Sequence, residues 1–245
     1  MSVYTTIEYT DNKGNAYSGE LYVPSSPASE KHPGVLIFPA IRGVTQLEMT
    51  RAKLLAEELG YVALVADIYG KGIRFTDIPT ALTVIRSLMA DRTGKFKERP
   101  EASICALRAL PSVDQKELAA FGFCLGGLCS LDVARHRYEG FRAVISFHGT
   151  LSPIEEIPLD PIDDTSIQVH HGDLDEHVPK TAVDAFHEEM RARNADFVFI
   201  SHGKAMHSFT DPDSATIAPS GVGYNENADK RSWKATVELL KEVFA

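Results

Sequence analysis

The 245-residue sequence predicts an α/β protein: a mostly parallel central sheet with helices on both faces. Three observations carry that expectation. Short apolar runs alternate with helical segments from residue 34 to the C-terminus. Two alternating, turn-linked segments come before them, as an antiparallel start to the sheet. A Gly-x-Cys-x-Gly-Gly turn, Gly122 to Gly127, follows the apolar run Leu118-Ala119-Ala120-Phe121.

Taken in order, Val3 to Tyr9 alternates and ends at the turn Asp11-Asn12-Lys13-Gly14, and Ala16 to Val23 returns as its partner, broken by Pro24. Gly34 to Phe38 and Tyr61 to Ala66 are continuous apolar runs, as in strands buried on both faces. Between them, residues 46–60 read as a helix stopped by Gly60. Helical sequence fills 77–91 and 99–110, strand 117–123 leads into the glycine turn, and a helix spans 126–138. Strands follow at 142–147 and 167–171, then a helix at 179–193 with Val183, Phe186 and Met190 on one face. Strand 197–200 precedes a last helix at 228–244, which places Trp233, Val237, Leu240 and Phe244 together. No linker or repeat interrupts the series, so residues 1–245 are expected to be a single domain without a large cap. The irregular stretches Ser152–Thr165 and Thr210–Asn227 are expected to be rim loops around an active site.

Composition limits the functions. Hydrophobic residues make up 44% and charged residues 24%, ordinary for a globular protein. A net charge of −9 supplies no basic field for nucleic acid or an anionic membrane. The N-terminus lacks the basic and apolar regions of a secretory signal, and no apolar run reaches the roughly 18 residues of a membrane span. Cys105, Cys124 and Cys129 make no disulfide framework, so a reducing cytoplasm is the expected compartment.

The glycine turn is the chemical signal. A nucleophile elbow projects its residue from a sharp strand-to-helix bend, and small neighbours are needed on either side. Here Cys124 takes that place, at a helix N-terminus where the dipole favours thiolate. In a doubly wound sheet, partners are sought at other strand ends. Asp173 and Asp175 follow strand 167–171, and His207 follows strand 197–200. The chain order nucleophile, acid, histidine is that of the α/β-hydrolase fold. Cys124 would attack a carbonyl carbon, His207 would move the proton, and one of the two aspartates would orient the imidazole. The oxyanion needs two backbone donors: the Leu125 N–H, and an N–H from the loop after strand 34–38, which proline leaves to Ala40 or Ile41.

With these residues assembled, the chain resembles the dienelactone hydrolase family. The Gly-x-Cys-x-Gly-Gly elbow, Gly172-x-x-Asp175-x-x-Val178-Pro179 and His207-x-Phe209 carry the resemblance, which runs from strand 34 to the last helix. It implies Asp175 as the acid and Ile41 as the second oxyanion donor. Three positions depart from the family's type enzyme. Ala40 stands where that enzyme has a glutamate that helps activate the thiol. Thr210-Asp211-Pro212 stands where one arginine holds a substrate carboxylate, and near the other only Lys71 is cationic. An aspartate there repels a carboxylate. The expected substrate is therefore a small neutral ester or lactone, not dienelactone. Tyr69, Lys71, His148 and Phe209 are pocket candidates by their strand-end positions.

No cofactor is expected, since neither a GxGxxG turn after a strand nor a P-loop is present. His148, His170, His171, His177 and His207 invite a metal reading, but HExxH and CxxC spacings are absent and no metal is expected. Two further readings compete. The same site would serve phosphotriester or thioester hydrolysis, or the fold would serve as a non-catalytic ligand-binding protein.

Overall fold

The computed structural model describes residues 1–25, 30–214 and 220–245. Residues 215–219, inside the expected rim segment Thr210–Asn227, lie outside the described residues. Eight strands form one mostly parallel sheet: β1 (Ser2–Thr10), β2 (Ala16–Pro24), β3 (His32–Phe38), β4 (Val62–Val65), β5 (Val113–Phe123), β6 (Phe141–Phe147), β7 (Ser166–Gly172) and β8 (Phe197–His202). Their order is β1-β2-β4-β3-β5-β6-β7-β8. The chain divides into two compact units, Met1–Ala120 and Phe121–Ala245.

In the first unit, β1 and β2 pair antiparallel from Ser2↔Pro24 to Thr10↔Ala16. The turn between them closes on Asp11, whose Oδ1 accepts the N–H groups of Lys13 and Asn15, both at 2.9 Å. β2 pairs antiparallel with β4, and β3 pairs parallel with β4. Val35 to Phe38 and Val62 to Val65 are completely buried, which is why these runs lack polar alternation. Helix α1 (Gln46–Leu54) opens with a capping box between Thr45 and Glu48. It runs into a π-helical turn, Leu55–Leu59, and stops at Gly60 with φ +72°. Helix α2 (Ile78–Met89) is capped by the Asp77 carboxylate, and α3 (Glu98–Arg108) follows after a second π-helical turn, Arg92–Phe96.

In the second unit, β6, β7 and β8 are parallel neighbours. Helix α4 (Leu125–Arg135) is buried along its whole length, so the sequence after the elbow carries few charges. Helices α5 (Lys180–Ala192) and α6 (Glu226–Val243) also belong to this unit, α6 capped by Asn225. Phe123 and Phe147 stack in the core, and Phe121 stands edge-on to Phe123 and to Trp233 of α6. Each expected helix and strand is present, with ends shifted by a few residues.

The Ser152–Thr165 segment departs from the expectation of a rim loop. The Arg193 guanidinium, after α5, donates to the carbonyls of Pro158 and Asp160 at 3.1 and 3.3 Å. The Ile162 N–H donates to the Arg193 carbonyl at 2.9 Å. Thr165 Oγ1 donates to the carbonyl of Phe141, the first residue of β6, at 2.7 Å. The latter half of the segment is thus tied to the edge where the parallel strands begin. The chemistry expected of this fold lies at the other edge.

Candidate active site

The elbow is built from what its glycines leave out. Cys124 has φ +53°, a conformation costly for a residue with a side chain. A Cβ on Gly122 would collide with the Gly126 carbonyl. One on Gly127 would lie 2.5 Å from Ser146 Oγ and 2.8 Å from Gly149 Cα. The bend therefore packs tightly against the end of β6, and the Cys124 N–H donates to the Phe147 carbonyl at 3.0 Å.

The Cys124 thiol is partly exposed and hydrogen-bonded to His207. Burial alone would push the thiol up. The charge and hydrogen bond of His207 and the Leu125 N–H outweigh burial and hold it below its ordinary value. His207 forms an isolated bridge with Val222, just ahead of a turn, and is buried. Burial would lower its pKa, but the Cys124 sulfur and the Asp175 carboxylate raise it to about 10. The two shifts run in opposite directions, and both favour charge separation between the thiol and the imidazole.

Asp175, and not Asp173, meets the imidazole. Asp175 Oδ2 lies 2.8 Å from His207 Nδ1. Its Oδ1 accepts the N–H groups of His177 and Val178 at 2.9 and 3.2 Å. Asp173 is exposed and receives the Ser201 hydroxyl at 3.3 Å. With Nδ1–H given to Asp175, the other ring nitrogen of His207 faces the sulfur. That is the wiring needed to take a proton at one point and return it at another.

Two further imidazoles flank His207. His148, at the end of β6, has φ +40° and is buried, with Nε2 2.8 Å from Thr210 Oγ1. Its ring stands edge-on to His207 and Phe209, with centroids 5.2 and 5.1 Å away. Burial first, and then the charge on His207, hold His148 well below the ordinary histidine range, so it is neutral. The exposed His177 ring lies 5.0 Å from His207 on centroids. Sequence reasoning weighed His177 only as a metal candidate. Its place two residues after Asp175, in the turn whose N–H groups bind that carboxylate, was the available signal.

The remaining candidates belong to the first unit. The Tyr69 hydroxyl donates to the Ile41 carbonyl at 2.7 Å. Lys71 is half-exposed and paired with Glu8 at 2.7 Å. A carboxyl group that sequence reasoning passed over, Glu48, is fully buried, and its Oε1 accepts the Ala40 N–H at 3.1 Å. Among the described residues, no group of three or more His, Cys, Asp or Glu side chains is arranged to hold a metal. No helix among them is long and apolar enough to cross a membrane.

Known proteins share both the sequence and the fold. An uncharacterized protein of Caenorhabditis elegans is 72% identical over 158 residues, 64% of this chain and all of that protein. A Bradyrhizobium protein named "Probable 2-oxo-3-(5-oxofuran-2-ylidene)propanoate lactonase" is 25% identical, covering 83% of this chain and 84% of its own. The crystal structure of P91, a dienelactone hydrolase-like promiscuous phosphotriesterase from metagenomic libraries, superposes with a TM-score of 0.93. It is 33% identical and covers 100% of this chain and 99% of its own. The model of the dienelactone hydrolase family matches residues 19–244, from the second strand through the last helix. With the cysteine elbow inside that span, the chain belongs to the dienelactone hydrolase family.

Proposed function

We propose that this protein hydrolyses small neutral carboxylic esters or lactones through a thioacyl enzyme. Cys124 is the nucleophile, His207 the proton carrier and Asp175 the group that orients it. The thiolate attacks the carbonyl carbon, and the carbonyl π electrons move onto oxygen. The N–H of Leu125, next to the nucleophile, receives that oxyanion. Collapse expels the alkoxide, which takes the proton from His207. Water then attacks the thioester while His207 takes a proton from it, and a second collapse releases the acid and restores the thiolate.

The observation that carries this reading is the single line of contacts from the Asp175 carboxylate through His207 to a thiol on a strained elbow. A neutral substrate is supported by the charges available. Lys71 is already paired with Glu8, and Asp211 follows Thr210. Ester and lactone chemistry is supported by family membership and by the lactonase name of the Bradyrhizobium relative. Phosphotriester attack is a second reading, favoured by the 33% identity to P91. An oxyanion hole that receives a carbonyl oxygen also receives a phosphoryl oxygen.

Intact-protein mass spectrometry after brief mixing with a p-nitrophenyl ester tests the proposal, with Cys124→Ala alongside. The expected result is an acyl adduct on the native chain, matched by p-nitrophenol release and missing from the variant. Equal release from both proteins without an adduct would reject the thiol mechanism. A p-nitrophenyl phosphotriester run in parallel separates the two substrate classes.

A further inference from the structure

We propose that the pocket at the end of β8 binds a small phosphomonoester, a ligand apart from the ester substrate. The pocket measures about 370 Å³, at the lower end of the range for small-molecule sites. His202, Lys204, Asn225, Asn227 and Arg231 supply its polar lining. All belong to the second compact unit, at the end of β8 and the start of α6. No carboxylate lines it, and neither do Cys124, Asp175 or His207.

The lining suits an anion. On a chain of net charge −9, Lys204 and Arg231 share one concavity. Neither side chain has an ion-pair partner among the described residues. The acids in the first turn of α6 are engaged elsewhere. Glu226 holds Lys230 at 2.6 Å, and Asp229 receives the Tyr224 hydroxyl at 3.3 Å. Two unopposed cations in a concavity draw in negative charge. Lys204 is also held in place. It has φ +65° in a turn closed by the Ala205 N–H on the His202 carbonyl at 3.2 Å. Asn225 Nδ2 donates to the Lys204 carbonyl at 3.2 Å, which ties that turn to the cap of α6. The Asn227 side chain has no partner among the described residues, and its amide can meet hydroxyls on an organic ligand.

His202 selects the kind of anion. It is 8% exposed, and its wiring fixes which nitrogen carries hydrogen. Gln168 Oε1 can only accept, so the His170 Nε2 that meets it at 3.0 Å carries the hydrogen. The Nδ1 of neutral His170 then accepts from His202 Nε2 at 3.1 Å. That leaves His202 Nδ1 as a bare acceptor, with no partner among the described residues. Burial, followed by the charge of Arg231 and the nearby His171, holds His202 below its ordinary range, so the ring stays neutral. An acceptor beside two cations is matched by an oxyanion that still carries a proton. A phosphomonoester has one, since its second pKa is about 6, and a sulfate has none.

Calorimetric titration of the full chain at pH 6 tests the proposal with glycerol 3-phosphate, inorganic phosphate and inorganic sulfate. Glycerol 3-phosphate is expected to bind, and inorganic phosphate to bind several-fold more weakly. Sulfate leaves the His202 acceptor unmatched and should bind about tenfold more weakly than phosphate. Lys204→Asn and Arg231→Gln each remove one charged contact and should weaken glycerol 3-phosphate binding about tenfold. Both positions are exposed, and asparagine tolerates positive φ, so both variants should fold. Alkylation of Cys124 with iodoacetamide should leave binding unchanged, which separates this pocket from the thiol site. No binding of glycerol 3-phosphate, full affinity in both variants, or loss of binding after alkylation would overturn the proposal. Sulfate binding as tightly as phosphate would overturn the role of His202. Equal affinity for inorganic phosphate and glycerol 3-phosphate would overturn the assignment of an organic ligand.

Discussion

Two imidazoles with centroids 5.2 Å apart are driven to opposite protonation states. His207 is raised to about 10 by the sulfur and the carboxylate, while His148 is held well below its ordinary range by burial and by the charge on its neighbour. In the proposed mechanism the charged ring carries the proton, and the neutral one, held by Thr210, stands beside it. The proposed step needs the hydrogen of neutral His207 on Nδ1, the nitrogen that meets Asp175 Oδ2. In Asp175→Asn, the amide oxygen can still accept from the N–H groups of His177 and Val178, so the turn should hold and the chain should still fold. The amide NH₂ would then face Nδ1 and impose the wrong tautomer. Turnover is expected to fall by about 10⁴, as when the orienting acid of a comparable triad is replaced by its amide. Steady-state kinetics on an ester checks this, and a kcat near that of the native protein would remove Asp175 from the mechanism.

The elements that build the site are held by a buried ionic knot that the sequence does not reveal. Arg135, at the end of α4, gives two guanidinium bonds to Glu189 of α5, at 3.0 and 2.7 Å, and pairs with Asp132 at 3.1 Å. Arg193 reaches the same carboxylate at 3.0 Å. Both arginine side chains are completely buried. Glu189→Gln would leave two guanidiniums short of charge in a dry interior. The expected cost is about 3–5 kcal/mol, read as a loss of denaturation free energy in urea. A change under about 1 kcal/mol would mean the knot is solvated or redundant. These residues were illegible because charged side chains at helical spacing read as a wet face until a partner helix is known to cover them. The same blindness applied to Glu48, which passes in the sequence for an ordinary capping glutamate. By contrast, Val35 to Phe38 and the glycines around Cys124 were legible, because burial on both faces and steric exclusion restrict residue type directly. Asp173 and Asp175 were inseparable by spacing, since both follow β7 and only the turn Asp175–Val178 decides which one points inward.

For the chain as a whole, buried neutral histidines set the response to acid. His170 is lowered to about 3, chiefly by burial and then by His202, and it is bonded to His202 and to Gln168 at 3.1 and 3.0 Å. His148 is lowered as well. A histidine depressed in the folded state binds its proton first in the unfolded chain, so its contribution is complete above pH of about 6.5 and shrinks as the pH falls. His207 has the opposite sign: raised to about 10, it gives stability that is full below about 6.5 and lost as the pH rises toward 10. Between pH 6.5 and 5 its contribution is flat, and the depressed histidines dominate. His170 alone is expected to cost about 2 kcal/mol over that interval. Melting curves at pH 7 and pH 5 check this, and equal Tm values would show that these rings are not buried as neutral groups. The elbow carries a further consequence, for descent rather than for stability. Positions 122 and 127 have no space for even a methyl group, and Gly149 meets Ser146 and Gly127 from the other side. Substitutions at those codons break the bend, so the nucleophile's mounting narrows what the chain can vary.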